Sequence, residues 1–263
     1  MDECGNYYIE DIGTRLGRGG FGEVFKCYVH NKRKTHKKFY ARKYFSPSPE
    51  NDNTPVREIA NLRERFLVEI KTQYRLNNLD HKCIAPIVLF NTLGEKPYFV
   101  MELAEGNLRD SIDKGMTKEQ KASAVIQTLK GVQLIHENKY IHRDLKPENI
   151  LKYANDDYKI SDFGLVKDLD TIRAEIKTRF KPNALGTDGY RAPEIGDSGL
   201  FSVQSDIYAV GKIISDVYAG QAPDKVKKII ATCTTFFPNE RYNSVEELLA
   251  AFKKAIKPVT EIA

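Results

Sequence analysis

Over the first hundred residues, apolar and polar side chains alternate in short runs, the period-two signature of strands with one buried face. Five runs carry it: Tyr8 to Leu16, Glu23 to Val29, Lys38 to Phe45, Ile84 to Asn91 and Pro97 to Leu103. In Phe39-Tyr40-Ala41-Arg42-Lys43-Tyr44 the alternation sends Tyr40, Arg42 and Tyr44 to one face and Ala41 and Lys43 to the other. One helix, roughly Ile59 to Asn77, interrupts the strands. The Pro-, Ser- and Asn-rich stretch 46–53 before it has the composition of a loop.

From about Asn107 the period changes to that of helices. Thr117, with Gln120 three positions on, forms a capping box. The helix it opens carries Ala122, Val125, Ile126, Leu129 and Val132 at helical spacing and ends near His136. Further helices are predicted from Ser205 to Tyr218, with Gly220 as the C-cap glycine, and from Lys225 to Cys233. A last one opens on a second capping box, Ser244-Val245-Glu246-Glu247. The expected class is α+β, a single bilobal domain over 1–263. A small β-rich lobe with one main helix (1–103) leads through a hinge (104–107) to a larger α-helical lobe (108–263).

Composition narrows the setting. Hydrophobic residues are 41% and charged residues 29% of the chain, an ordinary globular mixture. The net charge of +5 is a mild basic excess that names no partner. Cys4, Cys27, Cys83 and Cys233 are scattered without a CxxC pair, which argues against a disulfide framework or zinc site and for reduced thiols in a cytoplasmic setting. No stretch approaches the roughly 20 apolar residues that span a bilayer, and no membrane association is expected. The run His30-Asn31-Lys32-Arg33-Lys34-Thr35-His36-Lys37-Lys38 sits between two strand candidates and reads as a solvated hairpin turn. It lacks interleaved aromatic residues for stacking bases, so no nucleic acid partner is expected.

Two constellations carry chemistry. Gly17-Arg18-Gly19-Gly20-Phe21-Gly22-Glu23-Val24 is a GxGxxGxV turn between strands, whose glycines let backbone N–H groups approach phosphate oxygens. A strand follows it, which argues against a dinucleotide-binding turn. His142-Arg143-Asp144-Leu145-Lys146-Pro147-Glu148-Asn149 is followed thirteen residues after Asn149 by Asp162-Phe163-Gly164. Two carboxylates and a carboxamide suit phosphoryl transfer from a magnesium nucleotide, one acid orienting the attacking hydroxyl and the others holding metal.

Together these stretches resemble the eukaryotic-type serine/threonine protein kinase family, in the expected order from Leu16 to Arg241. The resemblance implies ATP and Mg²⁺. Asp144 would be the catalytic base, with Lys146 neutralising the transferring phosphoryl group and Asn149 and Asp162 holding Mg²⁺. Gly17, Gly19 and Gly22 would cover the phosphates. Lys43 would contact them and pair with an acid on the lone helix of the small lobe, Glu69 or, as runner-up, Glu64. Leu16, Val24, Ala41 and Leu151 would wall the adenine, Met101 would border its pocket, and Glu102 to Ala104 would offer it backbone groups. In Gly186-Thr187-Asp188-Gly189-Tyr190-Arg191-Ala192-Pro193-Glu194, Thr187 would brace Asp144 and Lys146, and Glu194 would pair with Arg241. Asp206 would anchor the catalytic-loop backbone.

The same resemblance implies a protein substrate with a serine or threonine acceptor, Lys146 being the Ser/Thr-type choice, with autophosphorylation among the reactions open to it. It leaves the oligomeric state undefined. The competing reading is a pseudokinase, a nucleotide-binding scaffold; a small-molecule kinase is disfavoured by the Thr187 to Glu194 segment. Four departures stand out. Arg42 replaces an apolar residue, on a face where it should do little harm. Gln73 stands where the family places an apolar residue one turn after the helix acid. No hydroxyl occupies position 183, which leaves Thr178 or Thr187 as regulatory phosphosites. The short spacing after Gly220 predicts a missing or reduced helix.

Overall fold

The structure is a computed structural model that describes residues 1–19, 22–47, 56–168, 187–199 and 201–257. The chain divides into two compact units, Met1–Glu105 and Gly106–Ala263.

The first unit is a six-stranded antiparallel sheet with one helix. Its strands are β1 (Asp2–Cys4), β2 (Tyr7–Gly19), β3 (Gly22–Asn31), β4 (Lys37–Phe45), β5 (Ile87–Asn91) and β6 (Tyr98–Glu102), in the order β1-β2-β3-β4-β6-β5. All five strand runs read from alternation are present, and Lys32 to His36 form the turn between β3 and β4. Helix α1 (Val56–Leu79) lies on one face, where Phe66 and Ile70 pack on Phe45, Ile87 and Phe99. It runs to Leu79, in keeping with a periodic pattern that continues past Asn77. Most of the loop before it, from residue 48, lies outside the described residues.

The opposite face is also a core. Ile9, Cys27, Val29, Tyr40, Tyr98 and Val100 are buried there, with Cys4, Tyr7, Tyr44 and Leu89 packed around them. The Cys4 thiol reaches the Phe90 carbonyl at 3.7 Å, so β1 comes round to β5 and the sheet curls about this second core. Alternation in β4 places Arg42 in it. The expectation that Arg42 would be inconsequential is corrected: its side chain is 1% exposed. The guanidinium lies 4.3 Å from the Tyr44 ring and 3.7 Å from the Tyr98 ring, and pairs with Asp2 at 2.6 Å and Asp11 at 3.8 Å. A buried charge is tolerated when paired, and here the aromatic faces and the β1 carboxylate supply the compensation. Strand β1 escaped sequence reading because three residues carry too little alternation to register. Burial pushes the Cys27 thiol up to about 12, with Asp11 adding to it, so this cysteine is an inert core residue.

In the second unit, β7 (Gly106–Asn107) leads into α2 (Leu108–Lys114) and α3 (Lys118–Glu137). Both halves of the Thr117/Gln120 capping box are made, at 3.2 and 2.9 Å. Strands β8 (Tyr140–Ile141), β9 (Ile150–Tyr153), β10 (Asp157–Ile160) and β11 (Lys167–Asp168) follow. They form two small sheets, β10-β9-β7 and β11-β8. The remaining described helices are α4 (Pro193–Ser198), α5 (Val203–Tyr218), α6 (Asp224–Cys233) and α7 (Val245–Ile256).

Helix α3 is central, packing on α5, α7 and β10 through Val125, Leu129, Val132 and Ile135. Helices α5 and α6 touch at Gly211, where a Cβ would stand 2.4 Å from Cys233 Cβ; only glycine permits that approach. Two caps differ from expectation. The left-handed cap of α5 falls on Ala219 (φ 45°), with Gly220 (φ 76°) after it. At α7, Ser244 accepts the Glu247 N–H at 3.1 Å, but the Glu247 carboxylate reaches one residue further back, to the Asn243 N–H at 2.9 Å. No helix intervenes between α5 and α6, as the short spacing after Gly220 predicted. Among the described residues no helix is long and apolar enough to cross a membrane.

If Asp2 compensates the buried Arg42 charge, Asp2→Ala lowers the unfolding free energy by about 1–3 kcal/mol. Adding Arg42→Met should recover most of that loss in chemical denaturation. A neutral Asp2→Ala would mean that the rings and Asp11 suffice.

Candidate active site

Strand register brings together the candidate site residues of the first unit. Gly17 pairs across β2–β3 with Val24, and Val24 across β3–β4 with Lys43. Ala41, two residues before Lys43 and on its face, pairs with Met101 on β6. The candidate phosphate turn, the lysine and two candidate adenine walls are thus brought together by pairing alone. Gly22 has its own constraint: a Cβ there would lie 2.0 Å from the Tyr44 carbonyl oxygen, so this glycine lets β3 approach β4. Leu16 is largely exposed, Val24 half-buried and Ala41 buried. The Glu102 N–H donates to Pro86 O at 3.2 Å, which commits that amide within the unit.

Lys43 Nζ meets Glu69 Oε1 at 2.6 Å, with side chains 9% and 0% exposed. Glu69 is the acid partner; Glu64 lies on the exposed face of α1. Gln73, one turn later, is 1% exposed, and its Nε2 donates to Ala85 O at 2.8 Å.

The candidate catalytic loop, in the second unit, is held by a buried carboxylate. Asp206, in the first turn of α5, accepts the His142 N–H at 2.9 Å and the Arg143 N–H at 3.0 Å, and meets His136 Nε2 at 2.8 Å. Burial opposes ionisation of Asp206, but the hydrogen bond and charge of His136, with His142, outweigh it and hold the carboxyl below its usual range. Arg143 sits at φ 72°, a left-handed conformation costly for a non-glycine residue, and Asp206 holds its amide there. The His142 ring is buried. Its Nδ1 accepts the Asp144 N–H at 3.3 Å and its Nε2 donates to Ser161 O at 3.1 Å, which defines the neutral Nε2–H tautomer. Phe163 stands edge-on to the same ring at 5.1 Å.

Asp144 is gripped on both oxygens. Oδ1 accepts from the Thr187 hydroxyl at 2.9 Å, while Oδ2 meets Lys146 Nζ and Asn149 Nδ2, each at 3.1 Å. Lys146 also donates to Thr187 Oγ1 at 2.7 Å, and Asn149 Nδ2 to Asp144 O at 2.8 Å. The β9–β10 hairpin pairs Ile150 with Ile160, and Asn149 O accepts the N–H and hydroxyl of Ser161 at 2.9 and 3.1 Å. Asn149 and Asp162 therefore become neighbours despite their distance in sequence. Leu151, next in β9, is half-buried opposite Lys159 and Asn107.

The segment after Thr187 is fixed at two points. Arg241 (4% exposed) makes a bidentate pair with Glu194 at 2.8 and 2.8 Å and spends its remaining N–H groups on the Gln204, Thr235 and Phe236 carbonyls. Arg109 on α2 donates to Tyr190 Oη at 2.6 Å and to Asp216 at 2.7 Å, and Tyr190 Oη itself donates to Asp216. Sequence reading missed this second anchor, as it missed His136, because its members are far apart in sequence. His136 alone offered a signal, a histidine closing an apolar helical stripe. The Thr187 hydroxyl is committed to Asp144 and Lys146, so a phosphate there would displace both. Thr178 lies outside the described residues.

A family model described as the protein kinase domain matches residues 11–255. The chain belongs to that family. It is similar to the inhibitor of nuclear factor kappa-B kinase subunit alpha of Xenopus laevis, 33% identical over 231 residues, which are 84% of this chain and 28% of that protein. Receptor-like kinase TMK4 of Arabidopsis thaliana is 29% identical over 220 residues (82% and 22%), and cyclin-dependent kinase-like 5 of Mus musculus 29% over 222 (81% and 21%). The chain thus spans about a quarter of the length of these relatives.

Because the folded Asp206 carboxyl titrates below its unfolded value near about 4, its stabilisation is complete above that pH and is lost as pH falls through the folded value. Asp206→Asn should cost about 2–5 kcal/mol at pH 7 and flatten the stability profile below about pH 4. Urea titrations across that window measure both.

Proposed function

We propose that the chain is an ATP- and Mg²⁺-dependent serine/threonine protein kinase. The observation carrying this reading is the grip on Asp144: Thr187 on one oxygen, Lys146 and Asn149 on the other. An ionised carboxylate held this way orients an acceptor hydroxyl and takes its proton as attack proceeds. Lys146 is placed to balance charge on the transferring group. Asn149 turns its Nδ2 to Asp144, which leaves Oδ1 as a neutral oxygen donor; with the Asp162 carboxylate it makes the small, hard donor set Mg²⁺ accepts. Bound ATP–Mg²⁺ would supply the γ-phosphoryl group. Lys43, fixed by Glu69, would hold the nucleotide phosphates, with Gly17, Gly19 and Gly22 above them. Leu16, Val24, Ala41, Met101 and Leu151 would contact the base, and Glu102 and Ala104 would offer it backbone groups.

Thr187, Tyr190, Arg191 and Phe201 line a shallow concavity beside Asp144, and a protein acceptor is read from the Thr187 to Glu194 segment. The Ser/Thr preference is read from Lys146, and the cytoplasmic setting from the scattered thiols. The division into 1–103, 104–107 and 108–263 is proposed as the functional boundary set. The alternative, a nucleotide-binding scaffold without transfer, finds its motives only in Gln73 and in the lack of a hydroxyl at position 183.

With labelled ATP, Mg²⁺ and a basic protein acceptor, label should enter serine or threonine. Asp144→Ala should reduce transfer by about 10²–10⁴-fold, and Lys43→Ala should abolish it at sub-saturating ATP. Nucleotide binding without transfer in the unsubstituted chain would favour the scaffold.

A further inference from the structure

Three polar side chains form a line down the buried face of α1. Glu69, Gln73 and Asn77 stand at i, i+4 and i+8 and are 0%, 1% and 8% exposed. Helical geometry stacks such residues one above another. Glu69 takes Lys43 of β4 at 2.6 Å. Gln73 Nε2 donates to Ala85 O at 2.8 Å, and Asn77 Nδ2 donates to Ile84 O at 3.0 Å. Both acceptors belong to the linker between α1 and β5. The next carbonyl, Pro86 O, accepts the Glu102 N–H from the end of β6. One short linker is thus fastened to the helix on one side and to the strand end on the other.

We infer that Gln73 and Asn77 are positioning residues that set the rotation of α1 and so present Glu69 to Lys43. This rests on the reading of Lys43 as a nucleotide contact. An ion pair at one point lets a helix roll, and an apolar contact lets it slide, because neither is strongly directional. Amide donors aimed at fixed carbonyls are directional. Two such points, with the Glu69 ion pair as a third contact, spread over about 12 Å of helix and together define both tilt and rotation. An apolar residue at 73 would fill the same space without specifying register. A buried amide that lost its acceptor would be left unsatisfied, so rolling is opposed at each point. The Glu102 bond ties the same linker to the strand proposed to face the base. Helix orientation and base contact then share one anchor inside the first unit.

The test uses the full chain with Gln73→Met, which keeps volume and removes the donor, Asn77→Leu, and Lys43→Met. Amide hydrogen exchange should accelerate about tenfold or more across 62–77 and at 84 and 85 in Gln73→Met and in Asn77→Leu. Affinity for a fluorescent ATP analogue with Mg²⁺ should fall about 3–10-fold in each, but not further when Gln73→Met is added to Lys43→Met. Unchanged exchange and affinity in Gln73→Met, or in Asn77→Leu should the first variant fail to fold, overturn the inference. So does an additive loss in the Lys43→Met background. If the unsubstituted chain binds no nucleotide, the nucleotide reading of Lys43 fails, and exchange alone still decides whether the amides hold the helix.

Discussion

One buried carboxylate organises the chemistry of the second unit. Asp206 is buried away from solvent and draws in the His142 and Arg143 amides and the His136 ring. That demand holds Arg143 in a left-handed turn, and the turn directs Asp144 away from the core toward Thr187, Lys146 and Asn149. The neutral His142 ring bonds onward to Ser161, and Ser161 to Asn149, so the loop and the β9–β10 hairpin share one hydrogen-bonded frame. Desolvation drives the arrangement: a carboxylate this deep is stable only where several donors converge.

The first unit solves a related problem with neighbouring residues of one strand. Lys43 faces α1 and pairs with Glu69, while Arg42 faces the other core and pairs with Asp2. Two adjacent cations are buried because pleating sends them to opposite sides of the sheet, each to its own acid. The Arg42 pair also gives β1 a reason to close over the second core. A sheet packed on both faces holds β4 firmly, and with it the position of Lys43.

Much of this was legible along the chain. Alternation located five strands, helical spacing located α1, α3, α5 and α6, and the resemblance to protein kinases singled out Glu69, Thr187, Asp206 and the Glu194–Arg241 pair as partners. These succeed because they depend on local period or on residue types at set spacing. Reading along the chain was weaker where the outcome depended on distant groups. Arg42 looked harmless because nothing local shows that β1 closes over it. Gln73 looked anomalous because its acceptor, Ala85 O, is a backbone group with no sequence signature.

The sequence by itself determined the order of the five longer strands and of α1, α3, α5, α6 and α7, and the residue types available for chemistry, since periodicity and side-chain chemistry are local properties. Only the tertiary structure decided which groups share a proton, a charge or a buried surface. Asn149 and Asp162 are neighbours because a hairpin folds between them. Asp144 is gripped because a segment some forty residues onward returns Thr187 to it, at 2.9 Å. Such pairings arise from burial, which forces each polar group to find a partner wherever the fold brings one.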